Sequence, residues 1–237
     1  MVTHDGLPVL RALLRSSQVS VKPLNPPDPP GEPSVIAAFD FDGTLTKRDT
    51  LMPYLKRGLG WPRFLFALLK CSPWLAGFAL RLVPNQVAKQ KLLRVSLRGK
   101  TLAELDVWTT RWLAHDFPGQ LQPWTMARLA WHKSQRHCCV MVSASPDIYL
   151  KRVASQLGFD ALLCTELAEV DGRLTGNMKT PNCHGEQKVL RLKAWMADCY
   201  GADSSATIIY AYGDTSGDKP MLRLAPHAFY RGKPWAG

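Results

Sequence analysis

The sequence predicts an α/β fold, a doubly wound parallel sheet with a helical cap inserted after the first strand. Three observations carry that expectation. From Ser34 onward, short apolar runs alternate with helical stretches. One long insert, about 51–117, is helical in pattern throughout. Acidic and hydroxyl residues gather where the apolar runs end.

Residues 1–34 stand apart from this pattern. VKPLNPPDPPGEPS is proline-rich and is expected to be a disordered or extended leader, and LPVLRALLR before it fits one or two helical turns. The first strand is expected at 35–39, where small and β-branched residues lead into FDFDGTLT. A single crossover does not need as many residues as 51–117, so that insert is expected to cap the sheet, with core segments at 35–50 and 118–237. Further strands are expected at 139–143, 161–164, 206–212 and near 228–230, with helices at about 120–136, 147–157 and 186–199. ELAEVDGRLTG reads differently, as a hairpin turning at Asp171-Gly172.

Composition bounds the partners. The 237 residues are 46% apolar and 21% charged, as in globular proteins, and the net charge is +11. Residues 51–117 hold 11 Lys and Arg against 3 Asp and Glu, most of the surplus. Such a field favours phosphorylated small molecules, anionic lipid headgroups or nucleic acid, and no nucleic-acid motif accompanies it. The six cysteines show no metal-ligand spacing, and Cys138-Cys139 before VMV read as buried thiols. Residues 1–20 lack the uninterrupted apolar run of a secretory signal, so a cytoplasmic protein with reduced thiols is expected.

Side chains at i and i+2 share one side of an extended chain, so Asp40 and Asp42 project into one space. Two close carboxylates raise each other's pKa, a cost that suits a cation or a reaction, although Asp-Gly alone also marks a turn. Three distant stretches join them at strand or helix ends. VSAS places Ser143 and Ala144 before a helix, where a hydroxyl and N–H groups can hold an anion. GEQKVLRL puts Lys188 at a helix start, and YGDTSGD puts Asp214 behind an apolar strand with Asp218 four residues on. Ligands of open α/β sheets bind at such carboxyl ends.

With these pieces in this order, residues 35–233 resemble the haloacid dehalogenase superfamily, and within it subfamily IB, the branch that includes phosphoserine phosphatase. DFDGTLT is similar to the first motif, VSAS to the second, Lys188 to the third and GDTSGD to the fourth, while DGRLTGN and NCHGEQK resemble subfamily IB segments. The resemblance implies a Rossmann-like core with a helical cap inserted after the first strand. It implies a Mg²⁺-dependent phosphatase in which Asp40 is the nucleophile and forms an aspartyl-phosphate. Asp42 would protonate the leaving alkoxide and then activate water. Mg²⁺ would be held by the carboxylates of Asp40 and Asp214 and the carbonyl of Asp42, with Asp218 acting through water. Lys188 would offset negative charge, while Ser143 and N–H groups of 41–43, Gly43 included, and of Ala144 orient phosphate oxygens. Dehalogenases need no acid at Asp42 and the related P-type ATPases carry Thr there, so Asp42 favours a phosphatase; phosphomutases share the pair.

Substrate choice is expected to lie in 49–117. Asp49 falls where phosphoserine phosphatase has a Glu that contacts the substrate amine, and Arg94 falls near the Arg that holds the carboxylate. Asp is shorter than Glu, and Arg94 also fits a solvated helix face. LGWPRFLFALLKCSPWLAGFALRLV, residues 59–83, has 17 apolar residues of 25, but its longest uncharged run is ten, against about 20 for a bilayer span. Ser72-Pro73 is expected to split it into two helices, and Arg63, Lys70 and Arg81 are spaced to share one face. Such a segment fits either packing on core or partner, or peripheral contact with the inner face of an anionic membrane. The substrate expected is therefore a lipid-linked phosphomonoester such as phosphatidylglycerophosphate, which some subfamily IB members cleave. The alternatives are a small metabolite such as phosphoserine, or a basic binding module without catalysis.

Overall fold

The computed structural model describes residues 35–201 and 207–237, and the proline-rich leader lies outside the described residues. Its strands are β1 (Val35–Phe39), β2 (Cys138–Pro146), β3 (Ala161–Thr165), β4 (Leu167–Val170), β5 (Arg173–Met178), β6 (Thr207–Gly213), β7 (His227–Tyr230) and β8 (Lys233–Trp235). The main sheet has the order β3-β2-β1-β6-β7-β8, parallel except for β8 at the edge. Strand order reverses at the β1/β6 pair, so a crevice opens where Phe39 and Gly213 lead into the two loops. β4 and β5 form the expected hairpin, with Asp171 and Gly172 both at positive φ as a type I′ turn requires.

Alternation along the strands explains both layers. Ile36, Ala38, Val140 and Val142 face one side, against Leu192 of α7 (Glu186–Tyr200) and Met221 of α8 (Lys219–Leu222). Ala37, Phe39, Cys139 and Met141 face the other, against Leu129 of α5 (Pro123–Ser134) and Leu150 and Val153 of α6 (Asp147–Leu157). The remaining helices, α1 (Leu51–Leu59), α2 (Trp61–Ala79), α3 (Asn85–Leu97) and α4 (Leu102–His115), make up the insert between β1 and β2. Tyr54 of α1 and Trp112 of α4 close on Tyr149 of α6, with ring centroids 4.5 and 5.3 Å away, and so anchor the insert to the sheet layer. The hairpin grips α3 from the other side. A Cβ on Gly176 of β5 would stand 2.7 Å from the Arg94 Cα, so only glycine permits this approach.

Three expectations need correction. Pro73 does not split the apolar segment, because α2 runs through it without a break. Proline leaves the carbonyl four residues earlier without a donor, and here the Ser72 hydroxyl donates to that carbonyl, Leu69 O, at 2.8 Å. Arg81 lies beyond α2 with φ 61°, so it does not continue the stripe of Arg63 and Lys70. Finally, β2 extends past Ser143 to Pro146, and its register with β3 shifts after Ser143.

One polar cluster sits inside the second layer. His132 of α5 is fully buried, with Nε2 2.8 Å from the Tyr212 hydroxyl and Nδ1 2.8 Å from His137 Nδ1. Burial, His137 and Arg128 push its pKa down to about 4. The cysteines are free thiols, and burial pushes Cys138 and Cys139 up to about 12.

Candidate active site

The site grows from the two loops at the β1/β6 crevice. Asp40 directly follows β1 and its N–H donates to the Tyr212 carbonyl at 2.9 Å, which fixes it against the neighbouring strand. Asp214 directly follows β6. Thr44 joins them, its hydroxyl 3.0 Å from Asp40 Oδ2 and 3.2 Å from Asp214 Oδ1. Gly43 makes this closeness possible: its φ is +81°, and a Cβ there would stand 2.2 Å from Asp214 Oδ2. Its N–H donates to Thr46 Oγ1 at 3.3 Å.

Lys188, at the start of α7, is buried and reaches the crevice from the opposite sheet face. Its ammonium donates to Asp40 Oδ1 at 2.5 Å, Asp218 Oδ1 at 2.6 Å and the Val142 carbonyl at 2.9 Å, using all three donors. Burial works against its charge, but Asp40 and Asp218 outweigh burial and hold its pKa well above the ordinary value. Asp218 is buried yet held below the usual carboxylate range, chiefly by Lys188, and its Oδ2 accepts from the Thr215 N–H at 2.8 Å.

Asp40, Asp214 and Asp218 offer carboxylate oxygens within 4.8 Å of one another. Burial raises Asp40, and Asp218 and Asp42 add to that rise against the pull of Lys188; burial and Asp218 raise Asp214 as well. A hard divalent cation with oxygen ligands fits this donor set, because it would relieve the like-charge strain that one lysine leaves.

The Asp42 side chain turns away from that cluster. Oδ1 accepts from the Thr50 hydroxyl at 2.7 Å and its N–H at 2.8 Å, and Oδ2 accepts from the Ser145 hydroxyl at 2.5 Å. Burial, with the nearby Asp49, pushes Asp42 up to about 6 against these donors. A carboxyl group poised there can give a proton and take one back near neutrality. Ser143 Oγ accepts from the Ser145 N–H at 3.0 Å, which fixes the turn of backbone beside Asp42.

The structure thus brings Asp40, Asp42, Gly43, Lys188, Asp214 and Asp218 together, with Ser143 and Ala144 alongside. Asp49 is exposed at the rim, where its Oδ1 accepts from the Met52 N–H at 3.3 Å. Arg94 stands apart: it lines a separate cavity of about 300 Å³ with Arg98, Arg173 and Asn177. The cation that α3 does send inward is Lys89, bonded to the Ala144 carbonyl and, at 3.2 Å, to Asn182 Oδ1. Lys89, Thr44, Thr50 and Ser145 are absent from the residues singled out by sequence. The hydroxyls in DFDGT and VSAS were a visible signal for Thr44 and Ser145, whereas Lys89 is one of many insert cations.

Comparison with known proteins agrees with this geometry. The haloacid dehalogenase-like hydrolase family profile matches residues 37–223. Protein CicA of Caulobacter vibrioides is 34% identical over 208 residues, 86% of this chain and 90% of that protein. A Bordetella pertussis Tohama I protein of unknown function superposes with a TM-score of 0.69 at 20% identity, over 82% of this chain and 89% of the other. A substrate-bound phosphoserine phosphatase superposes with a TM-score of 0.57 at 16% identity, over 85% and 87% of the two chains. The chain belongs to the haloacid dehalogenase-like hydrolase family.

Proposed function

We propose that the protein is a Mg²⁺-dependent phosphomonoesterase that works through an aspartyl-phosphate on Asp40. The observation that carries this reading is the division of labour between two aspartates two residues apart. Asp40 is tied to Lys188 and the carboxylate cluster, while Asp42 is held by Thr50 and Ser145 with its pKa raised to about 6. Asp40 attacks phosphorus as the ester P–O bond breaks, and the Asp42 proton passes to the departing alkoxide. Water then attacks phosphorus, its proton returns to Asp42, and the Asp40–phosphorus bond breaks to release phosphate. Asp40, Asp214 and the Asp42 carbonyl would hold Mg²⁺, which would supply charge that lets an anionic nucleophile approach an anionic phosphate. Asp218, whose oxygens accept from Lys188 and the Thr215 N–H, is assigned an indirect role through water. Solved phosphoserine phosphatases share the fold, and one is described as a phospho-aspartyl intermediate analogue, which supports the same chemistry here.

The insert acts as a cap, and its outer surface favours an amphiphilic, lipid-linked phosphomonoester met at an anionic membrane. On α2, Phe64, Ala67 and Cys71 face the core, while Leu65, Phe66 and Leu69 point the opposite way, with Phe66 63% and Leu69 65% exposed. Between Thr50 and Thr101 there are ten Lys and Arg and no Asp or Glu. An outward apolar helix face inside an all-cationic surround suits an anionic interface. Among the described residues no helix is long and apolar enough to cross a membrane, so contact would be peripheral. The second reading is a soluble metabolite such as phosphoserine, favoured by the phosphoserine phosphatases among the structural neighbours. A substrate panel of phosphatidylglycerophosphate, lysophosphatidate, phosphoserine and sugar phosphates, with sedimentation on anionic liposomes, separates the two. A hundredfold preference for phosphoserine in kcat/KM without liposome binding overturns the lipid reading.

A further inference from the structure

Two lysines reach the site through different partners, Lys188 through Asp40 and Lys89 through the Ala144 carbonyl, next to the Ser145 whose hydroxyl holds Asp42. Lys188 belongs to the nucleophile: its bonds go to Asp40, Asp218 and the Val142 carbonyl. Lys89 comes from the insert, and the carboxylates that act on it are Asp42 first and Asp49 second. It bonds two neutral oxygens, the Ala144 carbonyl and Asn182 Oδ1, and among the described residues it makes no ion pair. Thr165 and Asn85 brace this arrangement. The Thr165 hydroxyl donates to the Ala144 carbonyl at 2.6 Å, and Asn182 Nδ2 reaches Asn85 Oδ1, one turn before Lys89, at 3.4 Å. Lys89 is half-buried, and burial pushes its pKa down to about 8. An ammonium drawn out of water and met only by neutral acceptors costs stability that an arriving anion would offset.

These different partners decide which anion. In the phosphomonoesterase reading, on which this inference rests, Asp42 protonates the departing oxygen, so whatever lies on its side of phosphorus is the alcohol half of the substrate. We propose that Lys89 is the cap's specificity residue, and that it binds a second anionic group, a phosphodiester or a carboxylate, carried by the alcohol half of the substrate. Lys188 then serves the phosphoryl group and Lys89 the leaving group, and phosphomonoesters of uncharged alcohols are the poorer substrates. Arg94 cannot share this role from its cavity beside Arg98 and Arg173.

The test compares wild type with Lys89→Gln, which keeps donors without charge, and with Lys89→Arg, which keeps the charge. Lys89→Met takes the place of Lys89→Gln if the latter does not fold. Relative kcat/KM is measured for glycerophosphoglycerol phosphate (diester), 3-phosphoglycerate (carboxylate) and glycerol 3-phosphate (uncharged alcohol). Binding of the product alcohols glycerophosphoglycerol and glycerate is measured by calorimetry, which needs no turnover. The expected result is a tenfold or greater fall in preference for an anionic alcohol in Lys89→Gln. A tenfold weaker binding of its product alcohol should accompany it, with Lys89→Arg within threefold of wild type in both. The better of the two anionic substrates identifies the group. A preference unchanged within threefold in Lys89→Gln, or no binding of either alcohol by wild type, overturns the proposal and leaves Lys89 a latch between cap and core. Absence of phosphate release from every ester would instead overturn the phosphomonoesterase reading, while the calorimetry would still decide the role of Lys89.

Discussion

The Lys188 ammonium stands 2.5 Å from the Asp40 carboxylate, and this one contact joins the start of α7 to the end of β1 across 148 residues of sequence. Both groups are buried; the carboxylate draws the ammonium's pKa up, and the ammonium pulls the carboxylate's down against burial. Asp40→Asn removes the proposed nucleophile and should lower turnover of an aryl phosphate by roughly 10⁴-fold or more. Near-normal turnover in that variant would exclude the aspartyl-phosphate route.

Removing the other partner has a structural readout as well. Lys188→Met leaves Asp40 and Asp218 facing each other without a cation, a change expected to cost about 3–5 kcal/mol of stability. Denaturant titration with and without Mg²⁺ checks this, because an ion among the three aspartates should restore part of the loss. A Mg²⁺ response no larger than that of wild type would argue against the carboxylate cluster as the metal site.

Asp42 should reveal itself through the leaving group. Its folded pKa is about 6, so it holds its proton below that pH and loses it above. Formation of the aspartyl-phosphate needs the protonated form, so kcat/KM for an alkyl phosphate should decline as pH rises past about 6. Asp42→Asn should lose roughly 10²–10⁴-fold on alkyl phosphates and flatten that limb, with a smaller loss on aryl phosphates that leave unassisted. Equal losses on both classes would remove Asp42 from the role of acid.

The outer face of α2 predicts a surface effect separable from chemistry. Replacing Phe66 and Leu69 together by Glu removes two apolar contacts, each worth about 1.5–3 kcal/mol if fully buried, and adds charge that anionic lipid repels. Cosedimentation with anionic liposomes should fall at least tenfold, while hydrolysis of a soluble aryl phosphate stays near wild type. Unchanged sedimentation would assign that face to another occupant.

His132 sets an acid limit on stability. Its folded pKa of about 4 lies below the ordinary 6.5, so the unfolded chain takes up the proton first as pH falls. The neutral form's contribution is complete above about 6.5 and is lost between there and about 4, on the order of 3 kcal/mol. Denaturant midpoints at pH 7.5 and 5 should separate more for wild type than for His132→Gln. Equal separations would place the acid sensitivity elsewhere.

How much of this was legible depended on the range of the forces involved. The strands were readable because alternation and apolar runs are local, and Asp40 and Asp42 were paired by the two-residue repeat of an extended chain. The hairpin at Asp171-Gly172 was equally local. The rule that proline breaks a helix failed at Pro73 because a neighbouring hydroxyl supplied the missing donor, a tertiary detail of one side chain. The choice between Lys89 and Arg94 was not readable at all. Both flank the buried stripe of Ala88, Leu92 and Leu93 on α3, and only the docking of β5 decides which of them meets the crevice. Thr50 escaped for a similar reason, since a hydroxyl's partner is fixed by the turn that aims it.

The Thr44 bridge to Asp214 has a consequence in time. It spans 170 residues, so the proposed nucleophile is synthesised long before the partners that surround it. At about 5–20 residues per second, Asp40 waits roughly 10–30 s on the ribosome before β6 emerges to seat beside β1. Until that strand docks, Asp40 lacks Asp214 as a neighbour, and the nascent chain carries the proposed nucleophile without the carboxylate cluster around it. Synthesis of residues 188–218, which carry Lys188, Asp214 and Asp218, is therefore the event that completes the proposed site.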